Sequence, residues 1–335
     1  MTKSHFGRIA AAAALGLFLA FAPTAGPAQA QVNPTASAVK EEQLLRELDK
    51  VTGRATIPDA KAATLIRPDG QEFRRLQRDL LPWVSAIAIL GMIGVIAAFF
   101  FYRGRIRIDA GPSGYTIQRF GGLDRFTHWL TAISFLVLAI TGLNTAFGRS
   151  LLIPLIGEGA FASWAQTAKY VHNYTAFPFM LGMALMFVLW VKDNIFSAYD
   201  VEWLRRFGGL ASHDHPPSER FNFGQKTMFW SVILLGAAMS ATGLLMLFPF
   251  VYADVQGMQY ATLAHGMIGA VFFAATLAHI YIGTLGMEGA VEAMANGRVD
   301  VNWAKEHHSV WAEEELKRQT PQPVAGGAGR AVPAE

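Results

Sequence analysis

Residues 262–286 read TLAHGMIGAVFFAATLAHIYIGTLG, an apolar run that carries two histidines, His265 and His279, fourteen residues apart. At about 100° per residue that separation returns to nearly the same face of a helix, roughly 40° short of whole turns. At about 1.5 Å of rise per residue it sets them roughly 21 Å apart along the axis, one near each surface of a hydrocarbon layer about 30 Å thick. A helix built this way can give one axial ligand to each of two haems stacked across a membrane.

The rest of the chain supplies the membrane and the second ligands. Of its 335 residues 52% are hydrophobic and only 16% charged, where a soluble domain carries about a quarter charged. Five apolar stretches of spanning length account for the difference, at about 82–102, 127–147, 170–191, 227–250 and 262–286. The formal charge of +3 is too small to point to nucleic acid. There is no cysteine, which excludes cysteine-ligated iron–sulfur clusters, covalently attached c-type haem, disulfides and a thiol nucleophile.

Before the first span the chain reads as an export signal and a polar arm. Lys3 and Arg8 precede the apolar stretch 9–21, and Ala28-Gln29-Ala30 forms a small-residue cleavage site, so residues 1–30 are expected to be a signal peptide. Residues 31–80 are expected to form a polar segment outside the cytoplasm. It contains one short amphipathic helix at 39–51 and turns at Pro58-Asp59 and Pro68-Asp69-Gly70. Such a segment is too short for a large core and suits docking to a partner. The span after it, within 81–103, stands apart from the other four.

Charge fixes the expected orientation. Arg103, Arg105, Arg107, Arg119 and Arg125 lie between the first and second spans, and Lys192, Arg205, Arg206, Arg220 and Lys226 between the third and fourth. Arg298, Lys305, Lys317 and Arg318 follow the fifth, whereas 251–261 has no Lys or Arg and 148–169 has only Arg149 and Lys169. The positive-inside rule and the export signal agree on a mature N-terminus in the periplasm and a C-terminal segment, 291–335, in the cytoplasm of a bacterial inner membrane. The last residues, 320–335, read as a disordered tail.

Topology then decides which histidines can meet. His128 opens the second span near the inner surface, and His172 opens the third near the outer surface. By depth His172 pairs with His265, and His128 with His279, giving two bis-imidazole haem sites suited to electron transfer. A lone intramembrane histidine is ordinarily a packed or hydrogen-bonding residue; four at two matched depths point to haem. His213 and His215 are expected in a solvated loop, His307 and His308 in contact with water, lipid headgroups or a partner, and His5 within the signal. Arg125, three residues before His128, is a candidate partner for a haem propionate.

Several stretches resemble the cytochrome b (gamma) subunit of respiratory formate dehydrogenases. They are RFGGLDRFTHW with His128, KYVHNYTAF with His172, RFNFGQKTMFW, ATLAHGMIGA with His265, TLAHIYIG with His279, and GAVEAMANGRVDVNWAKEHHSVW. The resemblance covers about 120–312, and the glycine-rich turn followed by WAKEHH sets it apart from hydrogenase and thiosulfate-reductase cytochromes b. It implies an all-α haem-binding bundle, a di-haem domain over 120–290 with one extra N-terminal helix, and the same two histidine pairs. It implies a quinone site at Asn222, Gly224 and Gln225 beside the inner haem; their plain alternative role is helix capping. It also implies an iron–sulfur (beta) partner and a molybdenum- or tungsten-containing (alpha) partner that oxidises formate, this chain relaying electrons through two b haems to quinone.

Two other functions fit less of the sequence. A related cytochrome b serving a hydrogenase or another molybdoenzyme would bind haem identically. A haem-free transporter would use the histidines as a protonatable pathway, but spans two to five contain no Asp or Glu and no inverted repeat is evident.

Overall fold

The computed structural model describes residues 68–209 and 214–324. The export signal, His5, the 39–51 helix, the Pro58-Asp59 turn, His213 and residues 325–335 lie outside the described residues.

The expected turn at Pro68-Asp69-Gly70 is instead the start of a helix, α1 (Pro68–Arg75). Proline suits an opening helical position because its missing N–H would be unsatisfied there in any case. A π-helical turn, Leu76–Leu80, joins α1 to α2 (Leu81–Arg103), which ends at Gly104 with φ 68°. Only Ser85 is buried on α2. Trp83, Ile87, Leu90, Val95 and Phe101 are all exposed, as side chains are where lipid is the solvent.

A short strand, β1 (Tyr115–Gln118), leads into α3 (Gly122–Trp190), whose helical geometry breaks at Gly157 (φ 80°, ψ 164°). Contacts show that α3 folds back there as a hairpin. Trp190 Nε1 donates to Asp124 Oδ1 at 2.6 Å, and Thr141 Oγ1 lies 2.8 Å from His172 Nδ1. Both pairs stand nearly equidistant from Gly157 on either side. The two arms are the second and third expected spans. The expected loop at 148–169 is therefore helical except at its apex, and each arm, about 50 Å long, overruns the hydrocarbon layer. Pro154 and the glycines of IGEG read as a loop, but apolar and small residues around them keep both arms wound.

Next come α4 (Ala198–Arg205), α5 (Phe223–Leu247) and α6 (Val255–Tyr281), the last continued by a π-helical turn, Ile282–Gly286. Four helical stretches, 70–103, 122–190, 223–247 and 255–286, are long and apolar enough to cross a membrane. With α3 folded in two they supply the five expected crossings of a multi-pass membrane protein.

All the segments that join these helices at the His128/His279 end build one cap. It comprises β1, α4, α7 (Glu292–Ala295), β2 (Arg298–Asp300), α8 (Val301–His307), α9 (Ser309–Arg318) and β3 (Gln322–Pro323). The strands form a small antiparallel sheet in the order β2-β1-β3, with Ile117 opposite Val299 and Tyr115 opposite Pro323. Ile117, Val299, Trp303, Ala304, Trp311 and Ala312 pack beneath Trp190, Phe221 and Phe229 of the bundle. The small sheet is an addition to the expected all-α architecture. It also corrects the expected disordered tail, since Gln322 and Pro323 pair with β1. Composition registers the prolines and glycines there but not the open strand edge, which a proline tolerates.

Candidate functional site

The two histidine pairs assembled by depth meet in the structure. The rings of His172 and His265 have centroids 6.2 Å apart, and those of His128 and His279 also stand 6.2 Å apart. Each pair joins one arm of α3 to α6, so the hairpin at Gly157 delivers ligand candidates at both depths to a single facing helix.

The His172/His265 pair is held in one tautomer. Thr141 Oγ1 donates back to Val137 O at 2.7 Å and meets His172 Nδ1 at 2.8 Å. Thr242 Oγ1 donates to Ala238 O at 2.8 Å and meets His265 Nδ1 at 2.9 Å. A hydroxyl whose single proton is already engaged can only accept from the ring, so Nδ1 carries the hydrogen and Nε2 keeps its lone pair. Glycine follows each threonine. A Cβ on Gly142 would stand 3.6 Å from His172 Cε1, and one on Gly243 3.4 Å from His265 Cε1.

Three phenylalanines separate the His172/His265 pair from the His128/His279 pair. Phe135 and Phe272 have ring centroids 4.6 Å apart, and Phe179 stands 6.3 Å from each. Each lies seven residues, about two turns, from a histidine: Phe135 after His128, Phe179 after His172, and Phe272 midway between His265 and His279.

On the cap side of this layer is a cavity of about 840 Å³. The three phenylalanines line it together with His128, His279, Asn222, Gly224 and Gln225, and it reaches Asp109, His215 and His307 in the cap. Met92, Val95, Ile96 and Phe99 of α2 form part of its wall, which gives the extra helix a place in the site. Asn222 is the N-cap of α5: its Oδ1 accepts from Gln225 N at 3.0 Å, while Gln225 Oε1 accepts from Asn222 N at 3.3 Å. The capping role and the cavity-lining role therefore coincide. Arg125 Nη1 donates to Ala295 O at 3.2 Å, and its Nε is buried with no hydrogen-bond partner among the described residues.

Comparison with known proteins matches residues 119–297 to the family described as prokaryotic cytochrome b561. The chain belongs to that family. Over 212 residues it is 27% identical to the "Formate dehydrogenase, nitrate-inducible, cytochrome b556(Fdn) subunit" of Escherichia coli (strain K12), covering 60% of this chain and 94% of that one. It is 26% identical over 206 residues to the "Formate dehydrogenase, cytochrome b556(fdo) subunit" of the same strain, with the same coverage. For the "Formate dehydrogenase, cytochrome b556 subunit" of Haemophilus influenzae the identity is 26% over 198 residues, covering 57% of this chain and 80% of that one.

A cytochrome b561-family chain implies haem b, and the residues present fit that group. Two imidazoles sharing one metal, at about 2 Å per bond and about 1.1 Å from nitrogen to ring centre, have centroids about 6.2 Å apart, the spacing seen twice. Among the described residues no three His, Cys, Asp or Glu side chains cluster as a metal site, so each pair suits a group whose remaining four ligands are its own. His128 Nδ1 is buried with no hydrogen-bond partner among the described residues.

The cap corrects the expectation for His308. His308 is fully buried, its Nδ1 donating to Glu219 O at 2.8 Å and its Nε2 accepting from Arg119 Nη2 at 2.9 Å. Burial and the Arg119 charge hold it well below the usual histidine range. His307 is half-buried, and His215 is exposed in its loop, as expected, where it meets Asp109 at 3.1 Å. Arg119 lies between the rings of Phe120 and Trp303, 5.2 and 5.1 Å from their centroids, and donates to Gln225 Oε1 at 3.2 Å. Burial and the neighbouring Arg220 lower its guanidinium to about 9.

Sequence reasoning missed Thr141, Thr242 and the phenylalanine layer. The available signals were the repeated Thr-Gly pairs of AITGLN and SATGLL and the seven-residue spacing of each phenylalanine from a histidine.

Proposed function

We propose that the chain is the membrane cytochrome b subunit of a formate dehydrogenase, passing electrons from an iron–sulfur partner to quinone. One haem b would be held by His172 and His265 and a second by His128 and His279. The observation that carries this is the repeat of one 6.2 Å imidazole spacing at two depths of a single helix. Bound there, the haems supply two one-electron carriers with no open coordination position, suited to electron transfer.

The chain's own residues do the rest. Thr141 and Thr242 hold the outer imidazoles in the tautomer that presents Nε2. Asn222, Gly224 and Gln225 offer a polar edge to a quinone ring beside His279; the helix cap engages the oxygen of Asn222, leaving its amide hydrogens as donors toward a quinone oxygen. Arg125 is positioned for a propionate of the inner haem. The basic loops at the cap support a cytoplasmic position for that end and a periplasmic one for the Gly157 apex. Electrons then travel inward and quinone draws its protons from the cytoplasm. Formate oxidation belongs to a molybdenum- or tungsten-containing partner, a division supported by the names of the relatives and by a chain without cysteine.

The test is a reduced-minus-oxidised spectrum of the purified complex, with pyridine haemochrome quantification and formate as reductant. The expected result is about two b haems per chain, both reducible by formate. Two haems that ignore formate would move the partner to a hydrogenase or another molybdoenzyme, and absence of haem from a folded preparation would refute the assignment.

Thr141→Val and Thr242→Val give a finer check. Removing the acceptor for Nδ1–H makes the imidazole a weaker donor, so the outer haem should bind about 10–100-fold less tightly and its potential should rise. The inner haem's midpoint should stay put in a redox titration. Equal shifts in both would contradict an outer location for the threonines.

A further inference from the structure

His307 offers the cavity a buried ring nitrogen. Its Nε2 is buried with no hydrogen-bond partner among the described residues, while the neighbouring His308 is committed on both sides to Glu219 and Arg119. The His307 ring stands edge-on to Trp303, with centroids 5.3 Å apart, and to His215 at 5.9 Å. His215 Nε2 in turn meets Asp109 Oδ2 at 3.1 Å, with side chains 32% and 46% exposed. Glu306 braces this outer end by accepting from Asp109 N at 3.0 Å and Ala110 N at 2.9 Å. A run of titratable groups thus leads from solvent to a buried imidazole on the cavity that Gln225 and His279 also line.

We propose that His215 and His307 form the proton-entry relay for quinone bound in this cavity. The proposal rests on the quinone assignment above. Reduction of quinone to quinol takes two electrons, supplied by the iron–sulfur partner through this chain, and two protons, one for each ring oxygen. The protons come from water at the Asp109/His215 surface and pass through the His307 imidazole, which accepts one on one nitrogen and releases one from the other. The charged and titratable groups lining the cavity around this pair are Arg103, Arg107, Asp109, Asp214, Glu306, Arg119 and the neutral His308. Burial, helped by His215 and Arg119 and opposed by Asp109, lowers His307 to about 4. It is therefore neutral near pH 7 and hands a proton on instead of storing it.

The experiment uses the complete complex in native membranes. Haems are reduced by formate, mixed rapidly with a water-soluble quinone, and their reoxidation is followed from pH 6 to pH 9. In His307→Gln, haem content and the extent of formate reduction should match wild type, while reoxidation slows at least about tenfold. The deficit should grow with pH, and added imidazole should restore part of the rate. His215→Gln should shift the profile in the same direction. Wild-type rates in His307→Gln across the range would overturn the relay. If wild-type haems are not reoxidised by quinone at all, the quinone assignment itself fails and the relay with it. Should His307→Gln lose its haem, His215→Gln decides, because His215 lies at the half-exposed end, and an unchanged profile there overturns the relay.

Discussion

Replacing His265 with alanine is expected to empty the outer haem site and abolish formate-driven quinone reduction while leaving the inner haem in place. His265 faces His172 at 6.2 Å and Thr242 at 2.9 Å, so its loss strands one candidate ligand and one hydroxyl at the same depth. The inner pair is about 21 Å away along the same helix and shares no side chain with the outer one. Haemochrome quantification should fall from about two haems per chain to about one, with the remaining haem reducible by dithionite but not by formate. In His265→Met any outer haem that stays should still be reduced by formate but pass electrons onward more slowly, because a thioether ligand raises the potential of the iron it binds. Unchanged haem content in the alanine variant would refute the outer ligand pair.

The second large effect concerns stability. Lys226 is fully buried at the start of α5, with Nζ 2.8 Å from Asp200 Oδ2, 2.9 Å from Glu219 Oε2 and 3.1 Å from Ile195 O, so all three of its hydrogens are engaged. Asp200, only 6% exposed, also caps α4 by accepting from Ser197 N. Lys226→Met would leave that carboxylate buried without its counter-charge, which costs about 3–5 kcal/mol. Glu219 is 39% exposed and adds little, since water screens it. Adding Asp200→Asn to Lys226→Met should recover most of the loss, because the pair is then removed together. Thermal unfolding in detergent followed by tryptophan fluorescence reads this directly. An unchanged Tm in Lys226→Met would show that the buried ion network does not hold α4 against α5.

The membrane makes part of this protein readable from its sequence. A backbone in hydrocarbon must bond to itself, so apolar runs are helices, and counting residues then converts into depth. That is why His128, His172, His265 and His279 could be paired before any contact was known. The same reasoning loses its grip outside the hydrocarbon. Arg119, Glu219 and His308 come together from three distant segments, and their burial follows from tertiary packing that no local periodicity records. His307 and His308 read as a solvated pair because a charged, helical tail usually is one. The hairpin apex was misread for a related reason: Pro154 and Gly157 punctuate the chain, yet only Gly157 breaks the helix. Thr141 and Thr242 were invisible because threonine in such helices ordinarily bonds its own helix. They do so here as well, and it is the second contact to histidine that matters. Asn222 and Gln225 were the opposite case, since a capping box is legible locally and both of its residues also line the cavity.

The clustered rings of Phe135, Phe179 and Phe272 give the bundle an electrical property. They set an aromatic layer between the two histidine depths, like the dielectric of a small capacitor. On the proposed route, charge crosses this layer as electrons alone, with no proton following to cancel it. The two depths are about 21 Å apart in a layer of about 30 Å, so each electron does roughly 1.6 kcal/mol of work per 100 mV against the membrane field. On that route the three aromatic rings would let a redox reaction charge the membrane without a moving part.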